Sequence, residues 1–322
     1  MGITIYDVAT GAGVSPATVS RVLAGGASVA PDTAERVRQV VERLGYRPDR
    51  VAQSLRRQRS GLVGLVLPER SHPHAAFEAV IRIERTLAER DRSLLVATSD
   101  GTRELAAAER LAAHGVDALL ITRRTGRDPI DPDAFEVPVV LVDSGAVDGV
   151  DTVRVDHAAG IAQIVRFLVR EGAQRLAFVG EGSLSNVGTE QLEGFASATS
   201  AISEVETVAL RLGPSTHEFA ATTARELIGS PSPPDAYVCG SDLVASTLSA
   251  AFDVDDPERP LVVGYGAEPH SELVVPTLTT ARLPIAEVAE EAVRLVMQRV
   301  DGLESDPIDI ALAPSLVVGQ SA

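Results

Sequence analysis

From Leu62 onward, short uninterrupted apolar runs alternate with longer stretches whose apolar residues keep helical spacing. The runs are Leu62 to Leu67, Leu94 to Ala97, Ala118 to Ile121, Val137 to Val142, Leu176 to Val179, Tyr237 to Cys239 and Leu261 to Val263. A strand that is apolar on both faces must be covered on both, which is the situation of a parallel sheet with helices above and below it. The pattern therefore predicts an α/β body and excludes an all-β or all-helical one. No run approaches the roughly 18 apolar residues of a membrane span, so no membrane partner is expected. The first residues, MGITIYDVAT, lack the basic and then apolar layout of a secretion signal, which points to the cytoplasm.

The first sixty residues follow a different pattern. Thr4, with Asp7 three residues later, can cap a short helix whose apolar residues are Ile5, Val8, Ala9 and Ala12, and Gly13 ends it. Ser15-Pro16 restarts the chain: serine accepts free amide hydrogens, and proline fits the first helical position, where its missing N–H costs nothing. A second helix then runs to Leu23, with Val19, Val22 and Leu23 inward and Ser15, Pro16, Ala17, Ser20 and Arg21 outward. A third, from about Asp32 to Leu44, carries Val37, Val40, Val41 and Leu44 on one face and stops at Gly45. Three short helices with a tight turn between the first two make an all-α helix-turn-helix head.

Charge separates the same two regions. The net charge of −16 argues against a nucleic-acid partner, since DNA affinity rests largely on neutralising phosphates. The average conceals an asymmetry. Residues 1–60 hold nine arginines against five acidic residues, a surplus of +4, so the remainder carries −20. A small cationic head on an anionic body suits DNA gripping by the head alone. The single cysteine, Cys239, ends the apolar run Ala236-Tyr237-Val238, so it reads as a buried thiol, and no disulfide framework is available.

The motifs YDVA, GVSPATVSRVL, LGYRP and VAQSLR, followed by an RSGLVGLVLP segment, occur in the order and at the spacings of the LacI/GalR family of bacterial repressors, which the chain resembles through to its C-terminus. The resemblance implies a two-lobed α/β body like that of periplasmic binding proteins, with parallel sheets and three crossovers between lobes. It implies residues 1–46 as the DNA-binding domain, 47–60 as a hinge and 61–322 as the effector-binding and dimerisation domain. The lobes would be about 61–157 plus 285–312, and 158–284 plus the C-terminal tail. By the same likeness the second helix enters the major groove with Pro16, Ala17 and Arg21 toward base edges. Arg21 can make a bidentate contact to guanine, and Pro16 and Ala17 offer apolar contact. Thr4, Tyr6, Ser15, Thr18, Ser20, Ser28 and Thr33 fall where the family holds phosphates, contacts that set register. Here Ala30-Pro31 replaces the family's serine before proline, a loss that Asp32 offsets through the helix dipole.

Residues 47–57 are too short and polar to form a stable helix alone. In the family such a segment, here including Arg50, Ala52, Gln53, Leu55 and Arg56, pairs with its twin from the other subunit and wedges a leucine, matching Leu55, into the minor groove. The implied partners are double-stranded operator DNA, a second copy of the chain and a small-molecule effector between the lobes. For that effector the resemblance marks His72, His74 and Phe77 after the first strand, then Asp143, Gln191, Ser241, Tyr265 and Gly266. Several depart from the pattern of sugar-responsive members: Gln191 replaces arginine, Ser241 asparagine and Gly266 aspartate. Phe77 and Tyr265 are the candidate stacking rings. The usual carbohydrate clamp is thus largely missing.

Two rivals remain at this stage. An α/β enzyme would need a site, yet Gly180-Glu181-Gly182-Ser183 lacks the third glycine of a dinucleotide fingerprint and the chain has no GxSxG elbow. A small-molecule-binding protein with no DNA role would fit the body alone, but not the arginine-rich head. His72 and His74 lack a third metal ligand and read as solvated, and His157 reads as solvent-facing or as a helix start. No cofactor and no metal are expected.

Overall fold

Side-chain hydrogen bonds set the starts of the first two helices. The computed structural model describes residues 3–23, 29–46, 59–69, 73–100, 103–125, 130–228 and 233–322. The hinge candidates Arg50, Ala52, Gln53, Leu55 and Arg56, together with Ser28 and His72, lie outside the described residues. The chain divides into two compact units, Met1–Ser60 and Gly61–Ala322.

In the first unit, α1 (Ile5–Ala12) starts where the Asp7 carboxylate accepts both the Thr4 backbone N–H and the Thr4 hydroxyl at 2.8 Å. These bonds favour the ionised form and hold the Asp7 carboxyl below its ordinary value, the backbone bond being the larger cause. Gly13, at φ 64°, closes α1 in the left-handed region that glycine enters without strain. Ser15 Oγ accepts the Thr18 N–H at 3.1 Å and opens α2 (Pro16–Leu23). Helix α3 (Pro31–Leu44) begins one residue before the expected Asp32, at Pro31 itself. Val8, Ala9, Ala12, Val19, Val22, Val37 and Val40 form the head's own buried core. Arg36 Nε donates to the Ala12 carbonyl at 3.0 Å and ties α3 to the end of α1.

The second unit contains two six-stranded sheets. The chain runs β1 (Leu62–Pro68), α4 (Pro73–Ala88), β2 (Ser93–Ser99), α5 (Glu104–Ala113), β3 (Ala118–Ile121), β4 (Val139–Val142) and β5 (Asp151–Val155). It continues through α6 (His157–Arg170), β6 (Arg175–Gly180), α7 (Asn186–Ser200), β7 (Glu206–Leu212), α8 (His217–Ile228), β8 (Ala236–Cys239), α9 (Asp242–Ser249), β9 (Leu261–Gly266) and β10 (Thr279–Arg282). Helix α10 (Ile285–Val300), β11 (Asp309–Leu312) and β12 (Ser315–Val317) complete it. The first lobe's sheet has the order β11-β5-β4-β3-β1-β2 with every pairing parallel. The second lobe's sheet has the order β12-β10-β9-β8-β6-β7, parallel except where β12 runs against β10. The chain therefore crosses between lobes after β5, after β10 and after β11. Helix α10 returns into the first lobe, where Val288, Ala289, Ala292, Val293 and Val296 pack on Val63, Leu65, Leu120 and Val140.

Each expected apolar run lies in or overlaps a strand. Strands β5, β7, β10, β11 and β12 were not among those runs, because each carries polar residues with distant partners or lies at an edge. Asp151 of β5 is buried against Arg299, Thr279 and Thr280 of β10 are buried, and β7 is an edge strand whose Leu210 and Leu212 remain exposed.

Cys239 is buried on β8, and burial pushes its thiol well above the ordinary value, with nearby Asp242 adding to the shift. The thiolate is the reactive form. Cys239 is therefore expected to resist iodoacetamide in the folded protein and to react on unfolding, and mass spectrometry before and after denaturant checks this. Rapid alkylation of the folded chain would contradict it. Among the described residues no helix is long and apolar enough to cross a membrane.

Candidate DNA-reading helix and interlobe cleft

Helix α2 buries Val19 and Val22 in the head core and leaves Ala17 and Arg21 exposed on the opposite side. Pro16, Thr18 and Ser20 are half-buried at the edges of that outer face, and Ser15, just before it, is exposed and hydrogen-bonded to the Thr18 hydroxyl at 2.9 Å. Thr4 and Tyr6 are exposed near the start of α1, and Thr33 is half-buried in the first turn of α3. The outer surface thus offers one guanidinium fork, small apolar groups and a ring of hydroxyls. That set can contact a guanine edge, a thymine methyl and phosphate oxygens.

In the body, parallel strands point their carboxyl ends at the gap between the lobes, where open α/β sheets hold ligands. Beyond β3 lie Arg123 and Arg124; beyond β4, Asp143 and Ser144; beyond β6, Glu181 and Ser185. Arg123 is buried, and its N–H donates to Ser144 Oγ at 2.8 Å. Glu104, buried at the start of α5, accepts the Arg124 N–H at 3.4 Å. Asn186 then crosses the gap, its N–H donating to the Arg124 carbonyl at 2.8 Å. The Arg124 guanidinium lies 3.6 Å from Glu181, whose carboxylate also accepts the Ser185 hydroxyl at 2.8 Å.

A second bridge forms nearby. His157, the first residue of α6, is buried, with Nε2 at 3.1 Å from Asp143 and Nδ1 at 2.8 Å from the Tyr265 hydroxyl. The Nε2–H tautomer satisfies both contacts, donating to Asp143 and accepting from Tyr265. Asp143 adopts φ 46°, a left-handed conformation that aspartate tolerates better than most residues. Arg154 on β5 holds Asp309 and reaches Glu190 of α7 at 3.7 Å. Burial pushes the Glu190 carboxyl up, and His157 and Arg154 oppose the shift.

These positions correct part of the sequence reading. Tyr265 is only 2% exposed, packed among Ile161, Ile164, Phe178 and Phe195 with its hydroxyl on His157, so it presents no ring face for stacking. His157 does not face solvent; it begins a helix and joins the lobes. Gln191 is buried and donates to the Gly240 carbonyl at 3.1 Å, which ties α7 to the end of β8. Ser241 caps α9 by accepting the Val244 N–H at 3.3 Å and sits 2.5 Å from the Ser215 hydroxyl. Gly266 has φ 131°, where a side chain would be strained. His74 pairs with Glu78 at 3.9 Å near the surface, and Phe77 is 65% exposed on α4. Of the eight effector candidates, Asp143 and the Tyr265 hydroxyl stand in an interlobe bridge among the described residues, one on each side of His157. Arg123, Arg124, Glu181, Asn186 and Glu190 were not anticipated; the charged pair one residue beyond the apolar run ending at Ile121 was the available signal. Among the described residues no cluster of His, Cys, Asp and Glu could hold a metal ion.

A family model for periplasmic binding proteins and the sugar-binding domain of the LacI family matches residues 60–307, and one for bacterial regulatory proteins of the lacI family matches residues 4–49. The HTH-type transcriptional regulator CelR of Thermobifida fusca is 30% identical over 332 residues, covering 99% of this chain and 98% of the relative. The regulator reg1 of Streptomyces lividans is 32% identical over 338 residues, covering 99% and 96%. The lac repressor dimer bound to operator and an anti-inducer superposes with TM-score 0.85 at 25% identity, covering 100% of this chain and 99% of that one. A CelR–cellobiose complex gives 0.71 at 28% identity, covering 99% and 100%. A helix-turn-helix head carried with a two-lobed binding body defines a DNA-binding regulator of transcription, not an enzyme. The chain belongs to the LacI family of bacterial regulatory proteins.

Proposed function

We propose that the protein is a cytoplasmic repressor which binds a two-fold symmetric operator as a homodimer and is switched by a small polar effector between its lobes. Residues 1–46 read DNA, 47–60 form the hinge, and 61–322 bind effector and the second copy. The observation that carries this reading is the outer face of α2, where Arg21 and Ala17 are exposed among hydroxyls on a cationic head. A body of charge −20 would repel phosphate by itself. Dimerisation is supported by exposed apolar side chains on each lobe, Phe77 and Ile81 on α4 and Leu273 and Val275 beyond β9. Two heads on one dimer would read half-sites about one helical turn, roughly 34 Å, apart.

The effector reading rests on the cleft's chemistry. Arg124, Glu181, Asn186 and Asp143 are hydrogen-bonding groups that join the lobes directly. A polar ligand that exchanges these contacts for its own would shift the lobe equilibrium by its differential affinity for the two arrangements. A similar regulator, a CelR, has been solved in complex with cellobiose, so oligosaccharides head the panel to be tested.

Selection of duplexes from a random pool by the purified protein, repeated with and without cellobiose and other metabolites, tests both halves. Binding to the enriched duplex is expected to weaken by about a thousandfold between 50 and 200 mM salt if six or more phosphates are neutralised. Failure to enrich any duplex, or salt-insensitive binding, would refute the operator reading.

A further inference from the structure

The groups that join the lobes lie beyond the carboxyl ends of the strands, whereas a second buried ion pair, besides Asp151–Arg299, sits at the amino ends. Asp117 precedes β3 and pairs with Arg92, which precedes β2; their side chains are only 7% and 15% exposed. The carboxylate oxygen that faces Arg92 also accepts the Gly61 N–H at 3.0 Å. The Gly61 carbonyl in turn accepts the Ser93 N–H at 2.9 Å, and the Leu62 carbonyl accepts the Asp117 N–H at 2.8 Å. Both backbone groups of Gly61 are thereby held, at φ +76°, a turn that a residue with a Cβ would strain to make. One carboxylate thus fastens together the beginnings of three neighbouring strands, β2, β1 and β3.

We propose that Asp117 is a positioning residue that fixes where the chain leaves the body for the head, so that displacement of the first lobe reaches the hinge without slack. This rests on reading residues 47–60 as the hinge. A buried ion pair is poor evidence of added stability, because desolvation consumes most of its Coulombic gain. Its value here is geometric. Gly61 is the first residue of the body unit, and β1 lies inside the sheet between β2 and β3. A loose first residue would let the lobe move while the hinge stayed still, and the head would lose its preorganisation toward DNA.

The test compares full-length wild type with Asp117→Asn on the duplex selected by the wild type. The variant is expected to bind it about tenfold more weakly, within the usual range of coupling between sites. The salt slope should be unchanged, since no phosphate contact is lost, and the loss of affinity should persist well below the variant's own melting temperature, which falls because Arg92 is left without its buried partner. Hydrogen exchange at the Gly61 and Leu62 amides should accelerate. Unchanged exchange overturns the anchoring. Faster exchange with wild-type affinity overturns the positioning role, and so does a loss of affinity that only tracks a loss of folded body. If Asp117→Asn does not fold, Arg92→Gln, which leaves the Gly61 bond but removes its charged support, gives the same comparison. A wild type that binds no duplex would refute the operator reading, and the exchange measurement would still decide the anchor.

Discussion

A chain beginning at Gly61 is expected to fold and to bind the selected duplex at least about a thousandfold more weakly than the full protein, the usual gap between specific and non-specific binding. Folding is expected because each unit has its own core. Val8, Val19, Val37 and Val40 close the head among themselves, whereas the body buries Val63, Leu65, Leu120 and Val293 in one lobe and Phe178, Val238 and Val263 in the other. Loss of binding is expected because what remains carries −20 and none of the outward residues of α2. Circular dichroism with a cooperative thermal transition reports the fold, and fluorescence anisotropy on labelled duplex reports the binding. If the truncated body shifted the same duplex with similar affinity, DNA recognition would have to be sought in the lobes.

The head was the most legible part of the chain, because its signals are local. Thr4 and Asp7 cap a helix three residues apart, Ser15-Pro16 opens the next, and Gly13 and Gly45 close helices in the left-handed conformation that their missing Cβ allows. Strands covered on both faces were equally plain, since they show as bare apolar runs. The cleft was legible only in part, and the reason is sequence separation. His157 follows Asp156, which caps α6 by accepting the Ala159 N–H at 2.8 Å, and nothing adjacent reveals that its ring spans Asp143 and Tyr265, the latter 108 residues away. Tyr265 reads as a stacking ring because it adjoins an effector position that the family resemblance marks in a chain with few aromatics; burial in a core cluster with Phe178 and Phe195 removes it from the surface. The buried polar residues of β5 and β10 hid for the same reason: Asp151 is satisfied by Arg299, 148 residues on.

Asp242→Ala is expected to destabilise the second lobe by about 3–5 kcal/mol. The Asp242 side chain is buried and accepts the Thr280 hydroxyl at 2.6 Å, the Ser271 hydroxyl at 2.5 Å and the Glu268 N–H at 2.7 Å. Alanine strands all three donors, at about 1–3 kcal/mol each, and the total is held down because the cost of burying a charge disappears with it. Little can move in to fill the space. The carboxylate already abuts Gly264 so closely that a Cβ there would lie 2.2 Å from its oxygen. The damage should spread beyond stability. Ser241, beside Asp242, caps α9 at the cleft, while Glu268 and Ser271 belong to the segment that carries exposed Leu273 and Val275. The variant should therefore dissociate to monomers at higher concentration than the wild type. Asp242→Asn, which retains one carbonyl acceptor, should lie between the two. Urea titrations of the three proteins and sedimentation across a concentration series measure both effects. A loss of stability below about 1 kcal/mol, the net worth of a single ordinary hydrogen bond, would mean that Asp242 does not hold this segment in place.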